Sequence, residues 1–392
     1  MHQQILMNWL DSISIDWPIS RRRYYGTEIP IWYCKKCSEP YLPEPSKYYR
    51  PWKDECPANN CEKCGNKEFV GEERTFDTWM DSSVSPLFIS KFNRDDEFFK
   101  KVYPVSIRPQ AKDIVRTWLY YTLLRCEELT GEKPWSEAWV MGYGLDEKGM
   151  KMSKSKGNAI DPLPVIEKLG ADTFRFWSAS EINHGYDFRC NEQKIESTKK
   201  FLSKLWNVSR FLSSFPVIDS GTPNPSDKWI LSELDKVVKE CKKGYEEYNF
   251  FIPAIAIREF TWNVFAAHYI EMVKARAYGI DFSDEERDGA IFTLHKTLAT
   301  ILKLLAPITP FITEHLWKTL YSDQSIHKEK QVNSENIEVQ TDITKEISEF
   351  NSKVWNEKKS QNLSLKDAIK IEIPEILQPF KKDLKSMHNL ID

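Results

Sequence analysis

No run of 18 or more apolar residues occurs in this chain, so no helix of it is long and apolar enough to cross a bilayer. The N-terminal MHQQILMNWLDSISIDW lacks the basic start and continuous apolar stretch of a secretory leader, and the chain reads as intracellular and cytoplasmic. Neither sign of charge dominates. With 55 Lys and Arg against 58 Asp and Glu, a polyanionic partner would meet a local basic patch, not a globally basic protein. No internal repeat is present. Eight cysteines in such a compartment exclude a disulfide framework and leave reduced thiols or metal ligands. Wholesale disorder is excluded by 41% hydrophobic and 13% aromatic content, and 392 residues are too many for one ordinary core.

Composition changes along the chain. Residues 1–32 mix short apolar runs with ISRRRYYG (Ile19–Gly26), and residues 33–71 are rich in Cys, Pro and Lys, as in a small insertion. Residues 72–185 alternate strand-like runs (EAWVMGYGL) with helical ones (DIVRTWLYYTLLRCEEL), an α/β pattern. Residues 186–225 read as a helical connector: Phe201, Leu202, Leu205, Val208 and Leu212 recur at helical spacing, followed by the linker FPVIDSGTPNPSDK. Residues 226–325 form a second helical block. One stripe holds Ile257, Phe260, Val264, Phe265, Tyr269 and Val273, and another holds Leu294, Leu298, Ile301, Leu302 and Leu305. Thr309 and Pro310 predict the cap and first turn of the next helix. Residues 326–392 are a polar tail with short elements.

Cys34-x-x-Cys37 and Cys61-x-x-Cys64-Gly65 are two knuckles about two dozen residues apart. Four thiolates in that arrangement match a closed tetrahedral zinc site, which would fold an insertion with little core of its own. Cys56 competes with Cys64 as the fourth ligand; the tighter knuckle ending in Gly65 favours Cys64. Cys126, Cys190 and Cys241 read as plain buried thiols.

The segment GMKMSKSKGN (Gly149–Asn158) holds three lysines and two serines between glycines. Alone, it would read as a solvated loop. Its flanks change that: a strand-like run precedes it, and Asp161-Pro162 predicts a capped helix start after it. A mobile cationic loop between a sheet edge and a helix is where nucleotide phosphates bind, and Lys151 and Lys154 are close enough to reach one triphosphate.

Here the sequence resembles the class I aminoacyl-tRNA synthetases, whose second signature is KMSKS (Lys151–Ser155). The longer KMSKSKGNAIDP is the form of the valyl, isoleucyl and leucyl branch. DWPISRRRYYGTEIPIWYCKKC, TFDTWMDSSVSPL, RPQAKDIVRTW, GADTFRFW, FLSKLWNVSRF, DKWILSEL and LAPITPFITEHLW match as well, covering nearly all of residues 10–325. Within the branch, DTWMDSS and KDIVRTW look most like the archaeal valyl enzymes; isoleucyl or leucyl enzymes, or a tRNA-binding module without chemistry, are the other readings. Arg22 departs from the family, which has Gln in ISRQR.

The resemblance implies an α/β catalytic half, part of a Rossmann-type nucleotide-binding fold, with a zinc-knuckle insertion and then an all-α anticodon-binding bundle. It implies activation of valine with ATP and Mg2+, then transfer to tRNA(Val), and a structural Zn2+. Lys151 and Lys154 would steady the leaving pyrophosphate. Gly142, Met152 and Ser155 would lie at the ATP, Asp113 at its ribose, and Trp79, Ile114 and Trp118 would wall the valine side chain. The family's first signature, His-x-Gly-His, is not among the seven histidines. That half of the nucleotide-binding fold and the editing domain are expected to precede residue 1, on the same gene product or as a separate N-terminal half. This chain would then be the C-terminal portion, inactive by itself.

Overall fold

The computed structural model describes residues 2–45, 47–337 and 343–391. The chain parts into Met1–Gly142 and Tyr143–Asp392, the division falling where the strand run EAWVMGYGL breaks.

The first unit is built on one β-α-β crossover. Strands Val105–Ala111 and Trp135–Met141 run parallel, in register from Val105 opposite Trp135 to Ala111 opposite Met141. Parallel neighbours cannot be joined by a tight turn, and helix Tyr120–Thr130 makes the return, ending on Gly131 at φ +70°. Val115, Leu119 and Trp135 are the buried centre, with Ile5 and Leu6 of helix Gln3–Ser12 packed against them. Among the described residues this parallel sheet has two strands and one crossover.

The insertion is a three-stranded antiparallel sheet with Trp32–Cys34 between Pro40–Tyr41 and Phe69–Gly71. Trp32 is buried and donates its indole N–H to the Asp54 carbonyl at 3.2 Å. At Gly71 any Cβ would stand 1.9 Å from the Pro51 carbonyl oxygen, so only glycine lets the two segments meet.

The second unit opens on strand Gly144–Leu145, paired in parallel with Phe188–Arg189, with helices Pro162–Leu169 and Ala171–Glu181 in the connection. Asp161 accepts from the Leu163 N–H as the cap its sequence predicts. Long helices follow at Glu192–Leu212, Pro225–Glu246 and Asp284–Leu305, with Phe251–Glu259, Ile270–Ala277 and Pro310–Leu320 among them. Both predicted stripes face inward, with Val264 only half-buried.

Four features differ from expectation. Helix Glu192–Leu212 is no mere connector, since Phe201, Leu202, Leu205, Val208 and Leu212 belong to the same core as Trp229, Leu298 and Leu302. The tail also joins that core, through Ile347, Phe350 and Val354 of helix Thr344–Ser360 and Leu384 of helix Lys381–His388. Between Phe260 and Tyr269 the helix widens to π turns. Residues five apart then align, and Phe260 stacks on Phe265 with centroids 6.2 Å apart. Finally, Thr309 does not cap helix Pro310–Leu320: its hydroxyl turns back to the Leu305 carbonyl. Asp172 caps that helix in its place, accepting from the Ile312 N–H at 2.6 Å.

The bundle core is crossed by a buried polar cluster. The Arg276 guanidinium gives two N–H groups to Asp227, both at 2.7 Å, and a third to Asp383 at 3.1 Å. Tyr269 donates its hydroxyl to Asp227 and Ser226 to Asp383. Two helices and the tail are joined by these bonds. Deeper along the tail, the Asn351 side chain bridges the buried rings of His268 and His388 at 3.0 and 2.7 Å. Burial pushes His388 down to about 4, so the pair sits there as neutral imidazoles.

Candidate functional site

The lysine loop is a pinned hairpin. Asp146 accepts the backbone N–H groups of Lys148 and Met150 at 3.0 and 2.8 Å, closing the turn whose φ of +81° requires Gly149. Its other carboxylate oxygen takes the Asn158 amide at 2.8 Å, and the Asn158 carbonyl accepts the Ser153 N–H at 2.9 Å. Met152 bonds back to the Gly144 carbonyl at 3.0 Å and packs its side chain against the Val165, Trp177 and Ile195 core. The glycines expected to let the loop move serve its shape: Gly157 sits at φ +67°, ending the turn Lys154–Lys156. Both ends of the loop are thereby anchored, and its cations are displayed outward.

Lys154, Ser155 and Lys156 are exposed, and the Ser155 hydroxyl lies 3.3 Å from that of Ser153. The Lys151 ammonium stands 4.1 Å from the centre of the Tyr143 ring. The negative charge of Asp146 is turned inward on Asn158 and backbone N–H groups, which hold it below the usual carboxylate range. The outer face is left cationic. The clamping roles of Asp146 and Asn158 escaped the sequence reading, although an Asp just before the ten-residue loop and an Asn at its end are the residue types that clamp turns.

In the first unit, Gly142 is buried at the end of strand Trp135–Met141. Asp113 is exposed on the short turn Lys112–Ile114. Ile114 and Trp118 do not share a regular α-helix. A 3₁₀ turn ends at Ile114, and π turns run through Val115–Leu119. Trp118 is half-buried, gives its indole N–H to the Ser82 carbonyl at 3.1 Å, and lies on helical turns that pack against the short helix Thr78–Ser82 carrying Trp79. Arg108, which the sequence reading did not single out, stacks its guanidinium 3.3 Å over Trp118 and 4.6 Å from Trp135, buried so deeply that its pKa falls to about 9.

The four sulfurs of Cys34, Cys37, Cys61 and Cys64 all lie within 4.8 Å of one another. The Cys34–Cys64 and Cys37–Cys61 separations are both 3.6 Å. A disulfide would need about 2.05 Å. Four sulfurs at about 2.3 Å from a tetrahedral zinc stand about 3.8 Å apart, so the spacing suits that ion. Each knuckle closes in the same way: Ser38 N–H returns to the Cys34 carbonyl and Gly65 N–H to Cys61, both at 2.8 Å, with Ser38 and Gly65 at φ +60° and +73°. Burial raises the Cys34 thiol, but backbone bonds from Cys37 and Lys36 outweigh it and hold it down at about 6. At Cys37 a backbone bond from Glu39 lowers the value, but burial and the other sulfurs prevail and push it up to about 12. Four sulfurs this close repel one another once all are ionised, and full ionisation calls for a cation among them. Cys56 stands outside the group, and Cys126, Cys190 and Cys241 are buried thiols raised by desolvation.

Comparison with known proteins matches two successive parts of the chain, the first of which runs across the division at Gly142. The family described as tRNA synthetases class I (I, L, M and V) matches residues 1–190, and the anticodon-binding domain of tRNA ligase matches residues 227–373. Valine-tRNA ligases of Pyrobaculum aerophilum and Aeropyrum pernix are 44% and 41% identical across 100% and 99% of this chain. The chain spans about half of their length, 50% and 49%. Among solved structures, LeuRS in a ternary complex with tRNA and LeuAMS from Agrobacterium radiobacter K84 covers 81% of the chain and 42% of its own, with a TM-score of 0.63 at 21% identity. Methionyl-tRNA synthetase of Mycobacterium tuberculosis covers 88% of the chain and 63% of its own, with a TM-score of 0.59 at 17% identity. At such identities these two show the fold alone. By sequence, residues 1–190 match the class I tRNA synthetases and residues 227–373 their anticodon-binding domain, and the chain as a whole is similar to the valine-tRNA ligases.

Proposed function

We propose that the chain is the C-terminal portion of a valine-tRNA ligase, working with a half that carries the His-x-Gly-His signature to activate valine with ATP and transfer it to tRNA(Val). The observation that carries this reading is the intact KMSKS hairpin, held by Asp146 and Asn158 so that Lys151 and Lys154 point outward. When the valine carboxylate attacks the α-phosphorus, an oxygen–phosphorus bond forms, the bond to the β-phosphate oxygen breaks, and charge collects on pyrophosphate. Ammonium groups already in position stabilise that charge without reorganising. Mg2+ would share the task. Met152 and Gly142 are assigned to the adenine, Ser155 to the phosphates, Asp113 to the ribose, and Trp79, Ile114 and Trp118 to the valine side chain.

The test is a fusion of this chain behind the N-terminal half of the Pyrobaculum aerophilum relative, assayed for amino-acid-dependent ATP–pyrophosphate exchange. Valine should exceed isoleucine by about 10–200-fold, the worth of one methylene in a filled pocket, a scale known from enzymes of this very branch. Equal use of isoleucine would favour an isoleucyl enzyme. No exchange with any amino acid, with tRNA binding retained, would favour the module without chemistry.

Zinc at the four cysteines is part of the same proposal, as a structural ion with no open position for chemistry. The chain purified after metal-replete expression should carry about one zinc, and Cys34→Ser should abolish it and expose residues 33–71 to limited proteolysis. Cys126→Ala should leave the zinc content unchanged. Elemental analysis finding no zinc in the wild-type chain would sink the assignment.

A further inference from the structure

We propose that the outer face of helix Glu192–Leu212 is a seat for the phosphate backbone of tRNA. This rests on the tRNA ligase reading and names the surface it uses. Lys199, Lys200, Ser203, Lys204 and Asn207 line an open groove of about 410 Å3 with Trp262 from the π turns. Glu196, at the groove's end, is its one carboxylate. Lys200 and Lys204, four residues apart, stand about 6 Å from each other along the helix. Several other surface lysines of this unit meet carboxylates, as in Lys168–Glu192, Lys194–Glu181 and Lys303–Glu329. Among the described residues, the three groove lysines have no such partner.

The aromatic groups favour a nucleic acid over an acidic protein. The Lys204 ammonium lies 5.3 Å from the centre of the Trp262 ring, which holds the side chain against the groove floor. Further along the helix, Trp206 is 43% exposed although its ring stacks on His315, with centroids 5.6 Å apart. A large ring fixed flat at the surface beside unneutralised lysines offers a base or ribose an apolar face, with phosphates on the ammonium groups. The core beneath, Phe201, Leu202 and Leu205, makes the helix rigid, so little order must be gained on binding.

The experiment measures binding of a tRNA transcript to the whole chain, with salt varied between about 50 and 200 mM. Lys199→Ala/Lys200→Ala/Lys204→Ala should weaken binding at least tenfold at the low-salt end. The slope of log K against log salt should fall by about 2–3 units, roughly 0.7–0.9 for each phosphate that the variant no longer neutralises. Lys242→Ala/Lys243→Ala, two exposed lysines on another helix, should change neither. Equal effects of the two sets would overturn the groove by reducing it to bulk charge, as would an unchanged slope in the triple variant. Polyglutamate displacing the tRNA as well as RNA does, charge for charge, would overturn the assignment to nucleic acid. A wild-type chain that binds no tRNA would remove the ligase reading along with the groove.

Discussion

Lys154→Ala in the fusion with the Pyrobaculum aerophilum half should lower valine-dependent ATP–pyrophosphate exchange by about 10²–10³-fold, the scale on which one preorganised charge-stabilising donor acts. Lys154 opens the turn that ends at Gly157, is exposed, and has no carboxylate partner among the described residues. Its ammonium is free to meet a pyrophosphate oxygen whose charge grows only as the bond breaks. The loss should therefore fall on the rate far more than on the KM for ATP. The turn itself is made by Gly157 and by the Asp146–Asn158 clamp, neither of which needs the Lys154 side chain. tRNA binding should stay within about twofold, because one phosphate contact among many carries little of that affinity. Unchanged exchange would return the loop to a solvated lysine run.

The second large effect is on stability. Arg276→Met should cost the chain about 3–5 kcal/mol, because it strands two buried carboxylates. Asp227 and Asp383 both face Arg276, whose side chain is fully buried. Burial already raises Asp383 above the usual carboxylate range with the guanidinium in place. Without the arginine, Asp383 holds its proton to still higher pH in the folded chain than in the unfolded one. Between the ordinary carboxylate pKa and that raised value the folded state binds more protons, so its stability falls as pH rises. Hence the deficit should be smaller at pH 5 than at pH 8, a difference that urea unfolding measures. The neutral pair His268 and His388 titrates alike in both proteins and cancels. Adding Asp227→Asn and Asp383→Asn to Arg276→Met should recover part of the loss. A deficit under about 1 kcal/mol, equal at both pH values, would show that the cluster is dispensable.

What the sequence determined by itself are the features written in consecutive residues. The two C-x-x-C knuckles, the KMSKS run, the Asp161-Pro162 helix start and the inward stripes of Phe260–Val273 and Leu294–Leu305 depend on spacing alone, and spacing is visible in one dimension. The tertiary structure decided whatever needed a distant partner. It converges Cys34, Cys37, Cys61 and Cys64 and leaves Cys56 out, which neighbouring residues could only suggest. It hands the cap of helix Pro310–Leu320 from Thr309 to Asp172, whose carboxylate accepts two backbone N–H groups where a hydroxyl would accept one. It clamps the lysine loop with Asp146 and Asn158, and recruits the polar tail into the bundle so that Asp383 reaches Arg276 and Ser226. A charge such as Arg276 reads from sequence as solvated. Only once 0% of its side chain is exposed do its partners become a requirement, because an unpaired ion in that core would cost more than the fold can spare.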